Sequence, residues 1–184
     1  MRRNGKRSMD RPMPNFGFEM MAAMFKVRDW LRPRSEILAE VKIQPGDQVL
    51  DYGCGPGGYV AATAELVGEA GVVYALDVHP LAIRKVQDIA RKHQLTNVKT
   101  IQSDCKTGLP DDSLDVVLLY DVLGSLDDPQ AVLAELHRVL KPDGIMSLNE
   151  PHMGEEAILA TVANSHLFRL GKRGERAYSF LSKS

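Results

Sequence analysis

Residues 49–59, Val-Leu-Asp-Tyr-Gly-Cys-Gly-Pro-Gly-Gly-Tyr, constrain this chain more than any other stretch, because they predict a buried strand, a glycine loop and a helix start in succession. Gly53, Gly55, Gly57 and Gly58 leave a backbone free to turn sharply and approach a ligand closely, and the following helix is expected to offer unpaired N–H groups at its start. A nucleotide-like cofactor is the expected occupant. Gly53, Gly55 and Gly58 also satisfy G-x-G-x-x-G, and Asp77 lies at about the twenty-residue distance of a ribose-binding acid. Asp51, at the end of the strand, argues against a pyrophosphate, because a carboxylate there suits a cationic ligand better than an anionic one.

The rest of the chain alternates strand and helix signals, the pattern of a parallel sheet covered on both faces. Strands are expected at 48–51, 72–77, 98–102, 114–120 and 145–149. Helices are expected at about 59–67, from Pro80 to near His93, over the apolar face of Val132, Leu133, Leu136, Val139 and Leu140, and at 155–163. Lys141-Pro142-Asp143-Gly144 is read as a stop, and 166–170 with 175–181 as a hairpin around Gly171 and Gly174. Asp51, Asp77, Asp104, Tyr120 and Glu150 then fall at successive carboxyl ends of strands, where open α/β sheets bind ligands.

These residues carry a family resemblance. Asp51-Tyr52-Gly53-Cys54-Gly55-Pro56-Gly57 resembles the Asp-x-Gly-x-Gly-x-Gly motif of class I S-adenosylmethionine-dependent methyltransferases. The likeness continues in order through Ala75-Leu76-Asp77-Val78, Ser103-Asp104, the segment from Leu109 to Val117, and the run from Leu136 to Gly144. It implies an α/β fold with a doubly wound, mostly parallel Rossmann-like sheet, a C-terminal antiparallel hairpin and helices on both faces. It also implies S-adenosylmethionine as cofactor. On that resemblance Asp51, Gly53, Cys54, Gly55 and Gly57 border the methionine end, with Asp51 favouring its ammonium, and Asp77 takes the ribose hydroxyls. Val78, Ser103, Asp104 and Cys105 surround the adenine, with Tyr120 at the next strand end.

Methyl transfer from a sulfonium needs mainly positioning and exclusion of water; a base helps only when the acceptor must lose a proton. Tyr120, Asp121 and His152 are the candidate catalytic residues, with Glu150 beside them. Within the class the chain most resembles the small-molecule, type 11 or quinone-methyltransferase-like group. That group's histidine-bearing segment after strand four is Leu123-Gly124-Ser125-Leu126 here, which argues against a quinone. The Asn/Asp-Pro-Pro-Tyr element of amino-methyltransferases of nucleic acids and a Pro-Cys pair for cytosine C5 are absent, and no nucleic-acid partner is expected. A small-molecule acceptor is. Two rival readings stand beside methyl transfer: a non-catalytic S-adenosylmethionine-binding subunit, and a nicotinamide oxidoreductase, the latter without a Tyr-x-x-x-Lys pair.

A chain of 184 residues suits one ordinary domain. Its two cysteines, Cys54 and Cys105, form no C-x-x-C pair, so neither a disulfide framework nor a metal site is expected, and a reduced, cytoplasmic location fits. Residues 1–45 carry a surplus of five positive charges while the remainder carries an excess of six negative ones. Residues 1–33 are read as a basic tail and an amphipathic lid helix, and 34–184 as the methyltransferase domain. The helix collects Phe18, Met20, Met21, Met24, Phe25, Val27, Trp30 and Leu31. It has three readings: a lid over cofactor and acceptor, plain packing on the core, and contact with a membrane surface.

Overall fold

The computed structural model describes residues 13–31 and 34–183, leaving the side chains of 25–31 undescribed; the basic tail expected at 1–12 lies outside the described residues. Helix α1 spans Asn15–Leu31 and a short α2 spans Ser35–Leu38. Then follow β1 Gln48–Tyr52, α3 Val60–Val67, β2 Val72–Asp77, α4 Pro80–Lys92, β3 Val98–Gln102 and β4 Leu114–Tyr120. After a 3-10 turn at Leu123–Ser125 come α5 Pro129–Val139, β5 Leu140–Asn149, α6 Glu155–Ala163, β6 Phe168–Arg173 and β7 Tyr178–Ser182.

The seven strands form one sheet in the order β3-β2-β1-β4-β5-β7-β6, parallel from β3 to β5, with β7 antiparallel to both β5 and β6. This is the doubly wound sheet with an antiparallel end that the sequence predicts. The chain reverses direction along the sheet between β1 and β4, and this switch point opens a crevice at the strand ends.

Alternation along β1 and β4 divides the core between the two faces. Leu50, Val117 and Leu119 pack with Leu133, Leu136 and Val139 of α5 and with Ile158 and Val162 of α6. Val49, Val116, Leu118 and Tyr120 face the other way, onto Leu38 of α2 and Ala64 and Val67 of α3. Strands buried on both faces read as continuous apolar runs, which is why Leu114–Tyr120 was legible without alternation.

Three expectations change. Helix α5 does end just ahead of residues 141–144, at Val139, but those residues are strand and not loop: β5 begins at Leu140, directly after α5, and the register against β4 jumps between Leu114/Leu140 and Val116/Ile145. The irregularity is tied down by Lys141, whose ammonium donates to Asp115 Oδ1 at 2.5 Å, while Asp115 Oδ2 accepts from Gln48 N. Second, Gly171 lies inside β6 at a register shift between Leu170 and Lys172, where a residue without a Cβ absorbs a bulge. The hairpin turn sits beyond it, closed by Gly174 N donating to Ala177 O. Third, His166 precedes the strand, in the left-handed region at φ 59°.

The hairpin turn is bound to α2 by Glu40, whose carboxylate accepts from Arg176 N and Ala177 N, and by the Arg176–Glu36 ion pair. On the opposite side of the rim, α1 docks through Phe18, buried and stacked on the His79 ring at 4.4 Å, and through Glu19, which pairs with Lys85 at 2.9 Å.

Candidate functional site: the crevice at the carboxyl ends of β1, β2 and β4

The glycine loop leaves β1 at Gly53, where φ is +73° and a Cβ would overlap the Val122 side chain. Only glycine meets both conditions without strain. The loop is largely closed on itself: Gly53 N and Cys54 N both donate to Leu76 O, Gly57 N to Cys54 O, and Gly55 N to Asp77 Oδ2. These N–H groups are therefore spent on the fold and do not form the donor nest that a pyrophosphate requires. At the start of the following helix Val60 N donates to Gly57 O.

Asp77 ends β2 and is buried, its Oδ2 on Gly55 N at 2.8 Å and its Oδ1 on His79 N at 2.7 Å. Burial pushes its carboxyl above the usual range, and the two backbone donors pull it back. Each carboxylate oxygen keeps a second lone pair for a ligand hydroxyl. A narrow cleft opens beside it, lined by Tyr52, Gly53, Leu76, Asp77, Val78, Ser103, Asp104, Val122 and Leu126. The Tyr52 hydroxyl donates to Asp104 O at 3.1 Å and so fixes the far wall.

Asp51 is 2% exposed, and its Oδ2 has no hydrogen-bond partner. Burial pushes the carboxyl up to about 7; the Arg34 guanidinium opposes this and the Asp77 charge adds to it. Arg34 lies over the Tyr59 ring at 4.4 Å and against Gly58, where any Cβ would overlap the guanidinium. A buried carboxylate oxygen awaiting a donor, next to a stacked guanidinium, matches the ammonium and carboxylate of an amino acid. This charge pair, together with the Asp77 cleft, fits S-adenosylmethionine, the cofactor the sequence resemblance implies.

The remaining sequence candidates divide. Ser103, Asp104 and Val78 come together at the cleft, and Cys105 packs nearby against the core cluster of β4 and α5. The Cys54 side chain is buried with Val60, Ala75 and Val86, where it packs α3 and α4, and burial pushes its thiol well above the ordinary range. The Tyr120 side chain lies in the core beside the site and does not line the cleft. Its hydroxyl bonds Ser147 Oγ at 2.8 Å inside the core, its ring meets Tyr59 edge-on at 4.8 Å, and burial raises its pKa well above the normal phenol range.

Asp121 stays at the rim. It adopts φ 58°, its N–H donates to Asn149 O, and Val122 beside it lines the cleft. A non-glycine residue held in this region after the central strand is the kind of local strain that functional sites retain. His152 lies exposed in the turn after β5 and is not brought to the cleft. Glu150, from the same turn, is buried and its Oε2 accepts from Gly124 N at 3.0 Å, fastening the two rim loops together.

Sequence reasoning missed Arg34, Tyr59 and His79. Arg34 and Tyr59 belong to no spacing pattern, because what joins them is the packing of the segment before α2 on the glycine loop. His79 had a legible signal, a polar residue ahead of a proline at a helix start, and it caps α4 by accepting from Leu81 N on Nδ1.

Comparison with known proteins agrees with this geometry. The family described as a methyltransferase domain matches residues 43–177. The chain is 31% identical over 148 residues to the demethylmenaquinone methyltransferase of Geobacillus stearothermophilus, covering 79% of this chain and 63% of that protein. It is 29% identical to the ubiquinone/menaquinone biosynthesis C-methyltransferase UbiE of Marinomonas sp., covering 72% of this chain and 54% of the relative. The chain thus spans between about half and two thirds of the length of these curated relatives. A crystal structure of an Aquifex aeolicus S-adenosylmethionine-dependent methyltransferase superposes with a TM-score of 0.73 at 27% identity, over 84% of this chain and 91% of that one. With the family matched over residues 43–177 and the sheet shared with a solved S-adenosylmethionine-dependent methyltransferase, this chain belongs to the methyltransferase-domain family, in the class I group that uses S-adenosylmethionine.

Proposed function

We propose that this chain transfers the methyl group of S-adenosylmethionine to a small-molecule acceptor. The observation that carries the reading is the unpartnered, buried Asp51 Oδ2 beside the Arg34 guanidinium, a receptor shaped for the amino-acid end of that cofactor. In this reading Asp51 takes the ammonium, Arg34 the carboxylate and Asp77 the ribose hydroxyls. Val78, Ser103 and Asp104 flank the adenine, and α1 covers the ribose side through its contact with His79.

The cofactor supplies an electrophilic methyl on a sulfonium. The acceptor's lone pair forms the new bond to that carbon as the carbon–sulfur bond breaks, leaving a neutral thioether and needing no metal or oxidant. The chain's part is to hold the acceptor in line and keep water out. Asp121 is the residue we assign to face the acceptor, where its carboxylate orients a polar group or takes its proton.

In this reading the acceptor meets the short loops after β4 and β5, where Asp121 and the bonded pair Gly124 and Glu150 lie. Relatives named as demethylmenaquinone methyltransferases support a small acceptor, and the Leu123-to-Leu126 segment sets this chain apart from the pattern expected of quinone enzymes.

The test is transfer of labelled methyl groups to a panel of phenols, quinols, thiols and amines beside bulk tRNA and protein. Label in small acceptors alone supports the proposal; label in tRNA or protein alone overturns it. Arg34→Ala is expected to weaken cofactor binding by about tenfold or more, the usual size for loss of one charge-assisted contact, as read by calorimetry. An unchanged affinity would remove Arg34 from the site.

A further inference from the structure

We propose that Gly58 and Tyr59 are positioning residues that seat the Arg34 guanidinium at the amino-acid end of the cofactor, Gly58 by leaving the room and Tyr59 by supplying the shelf. The inference rests on the reading of Arg34 as the partner of the cofactor carboxylate. The glycines of the loop differ in what requires them. Gly53 and Gly57 take positive φ, and a Cβ would meet Val122 at the first and Val86 and Ile89 of α4 at the second, so the fold itself demands glycine there. Gly58 is another case: its φ is not positive, it is exposed, and the three atoms nearest an added Cβ all belong to the Arg34 guanidinium. The backbone at this position does not call for glycine; the place taken by Arg34 does.

The shelf is braced from the core. Tyr59 stands at the start of α3 and is buried, its ring carrying the guanidinium at 4.4 Å and meeting the Tyr120 ring edge-on at 4.8 Å, while the Tyr120 hydroxyl is bonded to Ser147 Oγ on β5. Leu38 and Val41, which follow Arg34 in the chain, pack in the same buried cluster as Tyr59. A ring face holds a guanidinium flat without consuming N–H donors, the groups a carboxylate engages. The same placement sets charge. The titratable groups acting around Asp51 are Arg34 ahead of α2, Asp77 at the end of β2, Cys54 in the loop and Tyr120 on β4, and of these four Arg34 is the cation that lowers the Asp51 carboxyl. Displacing Arg34 leaves burial and Asp77 to push that carboxyl higher.

The experiment is calorimetric titration of the full chain with S-adenosylmethionine between about pH 5.5 and 9, with thermal unfolding of each variant to report that it is folded. Gly58→Ala and Tyr59→Leu are each expected to lose about tenfold or more in affinity, as Arg34→Ala does. In all three the pH at which affinity levels off should move upward, a change that lost packing alone would not produce. Tyr59→Phe keeps the ring and should retain both affinity and profile. Gly58→Ala added to Arg34→Ala should cost nothing further, because the group it displaces is already gone. Wild-type affinity and profile in Gly58→Ala and Tyr59→Leu, with both altered in Arg34→Ala, overturn the proposal and leave the reading of Arg34 standing. Wild-type behaviour of Arg34→Ala overturns that reading and the proposal with it. A further loss in the double variant also overturns the proposal, since Gly58 would then act on the ligand directly. If Gly58→Ala does not fold, the contrast between Tyr59→Leu and Tyr59→Phe decides.

Discussion

Asp51 concentrates the physics of the site in one side chain. Its burial without a hydrogen-bond partner on Oδ2 disfavours the charged form and pushes its pKa up to about 7. A carboxyl raised in the folded state contributes stability that is complete below its ordinary pKa and is lost as pH rises through about 7. An ammonium ligand selects the ionised form. Cofactor affinity is therefore expected to rise with pH, by up to about tenfold per unit below pH 7, and to level off above it. In Asp51→Asn the profile should be flat and the affinity lower, as followed by titration calorimetry between about pH 5.5 and 8. A wild-type affinity constant across that range would contradict the role assigned to Asp51. Tyr120 is the converse case. Its place at a strand end suggested chemistry, but alternation along β4 turns it onto the α2/α3 side, where Ser147 takes its hydroxyl.

Helix α1 is attached differently from the rest. Strands β1 and β4 are buried in the middle of the sheet, whereas the contacts described for α1 include Phe18 on His79, buried Ala22 and Glu19 on Lys85, with Met13 O on His79 Nε2 just ahead of the helix. Phe18→Ala is expected to cost up to about 3 kcal/mol, expressed as local release of the helix. Hydrogen exchange should then show α1 amides losing protection while those of β1 and β4 keep theirs. Equal loss of protection in all three would mean that α1 belongs to the cooperative core. His79 N also donates to Asp77 Oδ1, so the same loop that anchors the helix holds the acid assigned to the ribose. Helix positions were legible from periodicity and strand positions from apolar runs. The bulge at Gly171 was not, because a glycine in a β-rich stretch reads equally as a turn and as a register shift until its partner strand is known.

Over the whole molecule, acid stability should trace to a network away from the site. Glu135 on α5 is buried, and hydrogen bonds from Arg138, then from Thr107, hold its carboxyl down at about 2. Arg138 continues the network to Leu109 O and Asp111, and so fastens the loop between β3 and β4 whose start carries Asp104. A depressed carboxyl contributes stability above its ordinary pKa and loses it as pH falls toward about 2. Glu135→Gln should cost on the order of 2 kcal/mol at neutral pH, with the difference from wild type shrinking between about pH 4.5 and 2. Thermal unfolding across that range checks it; a pH-independent difference would mean that packing, not charge, is at stake. The sequence by itself determined the order of strands and helices, the glycine loop and the acids at the strand ends, because these follow from local periodicity and from residue types at fixed spacing. Only the tertiary structure decided which of those residues meet. Arg34 lies on Tyr59 and the glycine loop, where its charge acts on Asp51, Cys54 and Tyr120 turn into the core, and His152 stays in solvent, since each outcome depends on packing between segments far apart in the chain.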